Sequence, residues 1–204
     1  SYDLKGNRHI ARDLNRSINE YLYEPALPIY TIEKTERYPN DRNTERELYG
    51  LKRRLESRKH VYIEETFSET FTDREIGNVK VTVHVFKARA KDKKPNETKK
   101  TIQKEFFKNN MAVLFSVNGQ VHGHYTSEFI TRSLKFHLLR DYVLIHVNCT
   151  NMNYVFRTEL FMASRDRLKN GEESKVLRKF LASNLKKGRL KEIYKKRKDA
   201  ISVD

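Results

Sequence analysis

Cysteine is almost missing from this chain: Cys149 is the single one in 204 residues. One thiol forms no intrachain disulfide and excludes a zinc site built on several cysteines, which fits a reducing cytoplasm. Glycine is scarce, with 7 residues, and no low-complexity tract or internal repeat is present, which excludes a linker or a solenoid. No apolar run approaches the roughly 20 residues that span a bilayer, so no membrane partner is expected. The opening SYDLKGNRH has neither an initiator Met nor the apolar segment of a signal peptide; it reads as a piece of a longer protein. The Gly-rich phosphate loops G-x-x-x-x-G-K-[ST] and G-x-G-x-x-G are absent, as are the G-x-S-x-G elbow and a Cys-His arrangement. Nucleotide binding through a glycine cradle and a hydrolytic triad are therefore unsupported.

Positive charge is plentiful. Lys and Arg number 42 against 27 Asp and Glu, a formal charge of +15, and such a surface attracts polyanions. The surplus is concentrated in two clusters. One comprises Lys91, Lys93, Lys94, Lys99 and Lys100. The other comprises Lys186, Lys187, Arg189, Lys191, Lys195, Lys196, Arg197 and Lys198. Either cluster has the composition to track a phosphate backbone, and either also reads as a solvated loop or helix face. Tyr194 alone interrupts the second cluster with an aromatic ring, which gives little support to base stacking.

Hydrophobic spacing orders the elements. Ile10, Leu14, Ile18, Tyr21 and Leu22 predict a helix from His9 to Glu24, stopped by Pro25 and Pro28. PIYTIEK predicts a short strand and 37–44 a loop; LYGLKRRL is ambiguous between helical turn and edge. VYIEETFSETF and GNVKVTVHVFKA predict two strands joined by a turn at 73–78. In the second, Val79, Val81, Val83 and Val85 point one way, while Lys80, Thr82, His84 and Phe86 point the other. Residues 88–110 read as an exposed loop with a short helix. MAVLFSVNGQVHGHY predicts a hairpin turning at Asn118-Gly119. SEFITRSLKFHLL predicts a helix capped by Ser127, with Phe129, Ile130, Ser133, Leu134, His137 and Leu138 on one face. YVLIHVNC is a buried-type strand, EESKVLRKFLASNL a helix, and GRLKEIYKKRKD a basic terminal helix. The order implies an α+β domain with a mostly antiparallel sheet and helices on one face, plus the N-terminal helix. Three units are expected: 1–57 as a linking region, 58–185 as the main domain, and 186–204 as the basic helix.

Few residues suggest chemistry. His122 and His124 share a strand face as metal ligands do, but three or four ligands are needed and no further ones lie nearby, so no metal is expected. The carboxylate pairs Glu64-Glu65 and Glu172-Glu173 read as solvated surface and as a helix start favoured by its dipole. The stretch MASRDRLKNGE is the most informative. It sets Arg165, Asp166 and Arg167 between a strand-like run and a helix, where a cation opposes the helix dipole. An arginine fork there suits a phosphate held by another domain, whereas Asp166 pairing locally with the arginines is an equal alternative.

The stretches VLFSVNGQVHGHYTSEFITRSL, DYVLIHVNC and FMASRDRLKNGEESKVLRKFL resemble the transducer domain of GHKL ATPases, with gyrase B, MutL, topoisomerase VI B and MORC-related bacterial proteins as parallels. The resemblance covers roughly 111–185 and, more loosely, the preceding sheet; the opening helix is similar to the segment after the ATP-binding domain of MORC-like proteins. It implies a fold like the second domain of a small-subunit ribosomal protein: a four-stranded, mostly antiparallel sheet with helices on one side and a left-handed βαβ crossover. The family's Q-T-K loop falls on Ala163, Ser164 and Arg165, followed by Asp166 and Arg167. An arginine thus stands where the family has lysine, and the glutamine is absent. By this resemblance Arg165 senses the γ-phosphate of ATP in a neighbouring Bergerat domain of the same chain. ATP and Mg²⁺ then belong to that parent protein, which is implied to be a homodimeric cytoplasmic ATPase acting on or near DNA, and this module alone is inactive. The alternative is a basic nucleic-acid-binding module without an ATPase partner, using Lys93, Lys94, Lys99, Lys100, Lys186, Lys187, Arg189, Lys195, Lys196 and Arg197.

Overall fold

The four alternating valines predicted to share a face do so: Val79, Val81, Val83 and Val85 are all buried in one apolar cluster. Their strand lies inside a five-stranded sheet in the computed structural model, which describes residues 21–33, 44–107, 110–164 and 167–201. The strands are β1 (Ile29–Glu33), β2 (Thr44–Leu48), β3 (Ile63–Asp73), β4 (Gly77–Phe86), β5 (Met111–Val117), β6 (Gln120–Thr126) and β7 (Val143–Asn148). The helices are α1 (Leu51–Ser57), α2 (Lys59–Tyr62), α3 (Pro95–Phe106), α4 (Tyr154–Leu160), α5 (Glu172–Leu185) and α6 (Arg189–Ile201). β1 and β2 form a separate antiparallel pair, and the main sheet runs β3-β4-β7-β5-β6.

Its topology follows from two hairpins and one insertion. β3 and β4 pair as a hairpin, as do β5 and β6. The second turns at Asn118 (φ 50°) and Gly119 (φ 80°), the paired positive φ values of a tight two-residue loop. The chain then returns to insert β7 between β4 and β5, antiparallel to the first and parallel to the second. Val143 to Val147 are all buried, as a strand covered on both faces must be. The domain is α+β as expected, but the sheet has five strands and is mixed, where four were expected.

Helices cover both faces rather than one. Leu177, Leu181 and Leu185 of α5, Phe156 and Leu160 of α4, and Leu190 and Ile193 of α6 bury the valine face. Leu51 and Leu55 of α1, with Ile102 and Phe106 of α3, bury Phe86, Leu114 and Leu144 on the other. The reason is visible in β4: Phe86 points away from the valines and needs apolar cover of its own, at about 1.5–3 kcal/mol for a large side chain. Packing therefore runs across both divisions expected at 57/58 and 185/186, since α1 and α6 each contribute fully enclosed side chains to the sheet.

Three local expectations change. Residues 95–106 form a full helix, opened by Pro95 and by Glu97, whose carboxylate accepts the Lys94 backbone N–H at 3.1 Å. Residues 127–139 form a π-helical turn (Phe129–Ser133) and a 3-10 turn (His137–Leu139) in place of one helix. Phe129, Ile130, Leu134, Phe136 and Leu139 are all buried; on a straight helix they would spread over about 220°, too wide for one buried stripe. The strand-like run before MASRDRLKNGE is helix α4, whose Phe156 and Leu160 are one turn apart. Of the helix expected at His9–Glu24, the part up to residue 20 lies outside the described residues, as does most of the 37–44 loop. Tyr23 and Glu24 donate their backbone N–H groups to Gly119 O at 2.9 and 3.1 Å, strapping this segment to the hairpin turn.

Candidate functional site

The stretch holding Ser164 and Arg167 is a loop closed at its base. Phe161 and Leu168 form a β-bridge, Met162 N donates to Arg167 O at 3.3 Å, and Lys169 N donates to Leu160 O at 2.8 Å. The base also presses on the edge strand β6: a Cβ on Gly123 would lie 3.1 Å from Leu168 Cδ2 and 3.2 Å from its backbone N. Glycine there permits the approach. The His122 ring meets Phe161 edge-on at 5.4 Å. Ser164 is an exposed turn residue, and the exposed Arg167 donates from Nε to Met162 Sδ at 3.1 Å. Arg165 and Asp166 lie outside the described residues, so neither the phosphate-facing arrangement nor the local Asp166 pairing is described.

The basic residues separate into two kinds. Arg189 and Arg197 are engaged within the fold. Arg189 grips Glu65 through Nε and Nη2 and also meets Glu192. Arg197 reaches Glu64 at 2.6 Å and the Phe86 carbonyl. The supposed solvated pair Glu64-Glu65 is thus the acceptor set for α6, and Arg189 holds the Glu65 carboxyl below its ordinary pKa. Lys93 donates to Tyr62 Oη at 2.9 Å, and Lys99 pairs with Asp141 at 2.6 Å. Lys100, Lys187, Lys195 and Lys196 are exposed; Lys186 is half-buried at the C-terminus of α5, where the helix dipole favours a cation. One juxtaposition is tertiary: Lys99 of α3 holds Asp141 while Arg197 of α6 lies 5.5 Å over the adjacent Tyr142 ring. The two clusters, far apart in the chain, flank the same segment before β7.

A second constellation was not foreseen. On the sheet face opposite α5, His84 of β4 and His146 of β7 are 4% and 6% exposed. The strap delivers Tyr23 onto them. Its ring stacks on His146 at 3.3 Å and 9°, and its hydroxyl lies 3.2 Å from His84 Nε2. Thr66 Oγ1 sits 3.2 Å from His84 Nδ1, and Ser116 Oγ 2.7 Å from His146 Nε2. Burial, then the Lys59 charge, pushes His84 down to about 4. Burial, then His84, Lys52 and Lys80, pushes His146 down to about 3. Both imidazoles are neutral at pH 7. Burial also pushes the Tyr23 phenol up. The signal in sequence was one histidine inside the apolar run YVLIHVNC, at a position that periodicity assigns to an interior strand.

His124 is half-buried, and burial lowers its pKa; among the described residues no group of three or more His, Cys, Asp and Glu is placed to hold a metal. The Cys149 thiol is fully enclosed, and burial raises its pKa, which makes it a poor nucleophile. No described helix is long and apolar enough to cross a membrane. Compared with known proteins, the chain matches no family model, no curated sequence and no solved structure.

Proposed function

We propose that the chain is the transducer module of a GHKL-type ATPase, with the loop after α4 as its phosphate sensor. The observation that carries this reading is the clamped base of that loop. The Phe161–Leu168 bridge and the Met162–Arg167 hydrogen bond tie its two ends together, against an edge strand that has no side chain at Gly123. Four residues, Ala163 to Asp166, connect the clamped ends, and Arg165 is among them. A cation borne on so short a closed loop is a means of meeting a terminal phosphoryl group of a neighbouring domain, bidentately where geometry allows. The order hairpin, helical turn, β7, α4, loop, α5 shares the hairpin and the loop before the last helix with the resemblance and adds α4 ahead of that loop. It also has a parallel β5–β7 pair, which requires a crossover connection.

In this reading the Bergerat domain of the parent protein holds ATP and Mg²⁺. Arrival or loss of the γ-phosphate shifts the balance between docked and undocked domains, the hinge logic of nucleotide-driven switches. The parent acts as a dimer on or near DNA. Arg165→Ala in the protein that joins this module to its ATPase domain is expected to lower ATP turnover by about tenfold or more, with the thermal midpoint unchanged. Turnover equal to wild type defeats the reading.

A second reading, a nucleic-acid-binding module, draws on the convergence of α3 and α6 beside Asp141 and Tyr142. Exposed Lys100, Lys195 and Lys196 then carry the phosphate contacts, while Arg189 and Arg197 hold the helix that presents them. Binding of a DNA duplex would weaken by about 0.9 log units for each tenfold rise in salt per phosphate contacted, and Lys195→Ala with Lys196→Ala would reduce that slope. Binding without any salt slope rules phosphate tracking out.

A further inference from the structure

The polar face of the sheet contains a cleft of about 290 Å³ lined by His84, His146, Lys52, Lys59, Lys80 and Asn148, among others. Register explains its floor. Ser68, Thr82 and His146 form one rung across β3, β4 and β7, and Thr70, Lys80 and Asn148 form the next. An antiparallel sheet can leave one face to water, and polar residues there need no ligand for their explanation. Three features exceed that.

The deep end is enclosed by the fold. His84 and His146 are almost fully enclosed, and burying polar groups is costly unless each finds a partner. His84 has both ring nitrogens matched, by Tyr23 and Thr66. His146 is matched only at Nε2, by Ser116; its Nδ1 has no hydrogen-bond partner among the described residues. In the tautomer where Nε2 accepts the Ser116 hydroxyl proton, Nδ1 is an N–H donor on a residue that lines the cleft.

The rim is cationic. Lys52 is paired with Glu24 at 2.6 Å, whereas Lys59 and Lys80 have no carboxylate within ion-pair distance among the described residues. Glu56, one helical turn before Lys59, also lines the cleft, so the wall holds three lysines against two glutamates. Serine, threonine and asparagine side chains supply further donors. The volume lies near the lower end of the roughly 300–1,000 Å³ usual for small-molecule sites.

We propose that this cleft binds a small oxyanion-bearing ligand, phosphate or carboxylate in chemistry, through Lys59 and Lys80 at the rim and His146 at the floor. The site is independent of the loop after α4 and faces the other side of the sheet from α5. Oxyanion oxygens accept the lysine ammonium protons and the imidazole N–H, and the Tyr23 ring closes one side of the histidine.

The test is an NMR titration of the histidine ring resonances at constant ionic strength, with inorganic phosphate and with citrate as separate probes, each to about 20 mM, an affinity range of a few kcal/mol. The expected result is a saturable shift of the His146 ring. It should weaken about tenfold or more in Lys80→Ala and in Lys59→Ala, both exposed positions, and persist in Lys195→Ala on α6. A response to phosphate alone identifies a phosphorylated ligand, a response to citrate alone a carboxylated one. Absence of a saturable shift with both probes, or a response as strong in both lysine variants as in the wild type, overturns the proposal.

Discussion

Arg189 of α6 and Glu65 of β3 meet in a two-pronged hydrogen bond, Nε to Oε1 at 2.7 Å and Nη2 to Oε2 at 3.0 Å. The pair joins residues 124 apart in the chain and turns part of a basic tail into a strut. Two things in the sequence, a lysine-rich helix and an acidic pair on an edge strand, are read together only once α6 lies across β3. Arg197 braces the same strand at the neighbouring residue, with a single bond from Nη2 to Glu64 Oε2 at 2.6 Å and another to the Phe86 carbonyl.

Arg189→Ala should therefore lower the thermal unfolding midpoint more than Lys195→Ala, because the second side chain is exposed and makes no such bond. Glu65→Gln is expected to behave like Arg189→Ala, and the double variant to add little to either. Additive losses in a double-mutant cycle would show that the two groups act separately.

Acid should destabilise the fold well above the pH at which ordinary carboxylates titrate. His84 and His146 have folded-state pKa values of about 4 and about 3, below the 6.5 of an unfolded histidine. The unfolded chain binds these protons first as pH falls, so stability is full above about pH 6.5 and declines down to the folded values. The slope is about 1.4 kcal/mol per pH unit for each histidine. Glu65, held below 4.5 by Arg189, continues the loss at lower pH. Urea midpoints measured from pH 7.5 to 4 check this; a flat profile refutes it.

Both faces of the sheet should be equally intolerant of cavities. Leu181 of α5 and Leu55 of α1 are each 0% exposed, on opposite sides. Leu181→Ala and Leu55→Ala are each expected to cost about 2–5 kcal/mol. A small loss for Leu55→Ala in equilibrium unfolding would mean that α1 is a detachable layer.

Gly119→Ala should disturb both the hairpin and the strap that crosses it. Gly119 has φ of 80°, and an added Cβ would lie 1.7 Å from Glu24 O. The strained φ and the clash together predict a loss of roughly 1–3 kcal/mol. The measurement is the unfolding midpoint, with the Tyr23 ring resonances reporting whether its stack on His146 is kept.

Local periodicity determined much of this protein. Alternation in GNVKVTVHVFKA decided which way each residue of β4 faces, and Asn118-Gly119 decided the β5–β6 hairpin, because both are settled by neighbours one or two residues away. The helix of α5 was legible for the same reason. α4 was not: Tyr154, Val155 and Phe156 favour a strand, and only packing of Phe156 and Leu160 under the sheet makes that run helical. Tertiary structure alone decided that β7 enters between β4 and β5, that α1 and α3 cover the second face, and that Tyr23 reaches His146. Those contacts join residues tens to more than a hundred positions apart, and their strength depends on burial, which no short stretch of sequence carries. The same holds for charge: the lysines and arginines were countable in the chain, but which of them face solvent and which brace α6 followed from where the carboxylates of β3 came to lie.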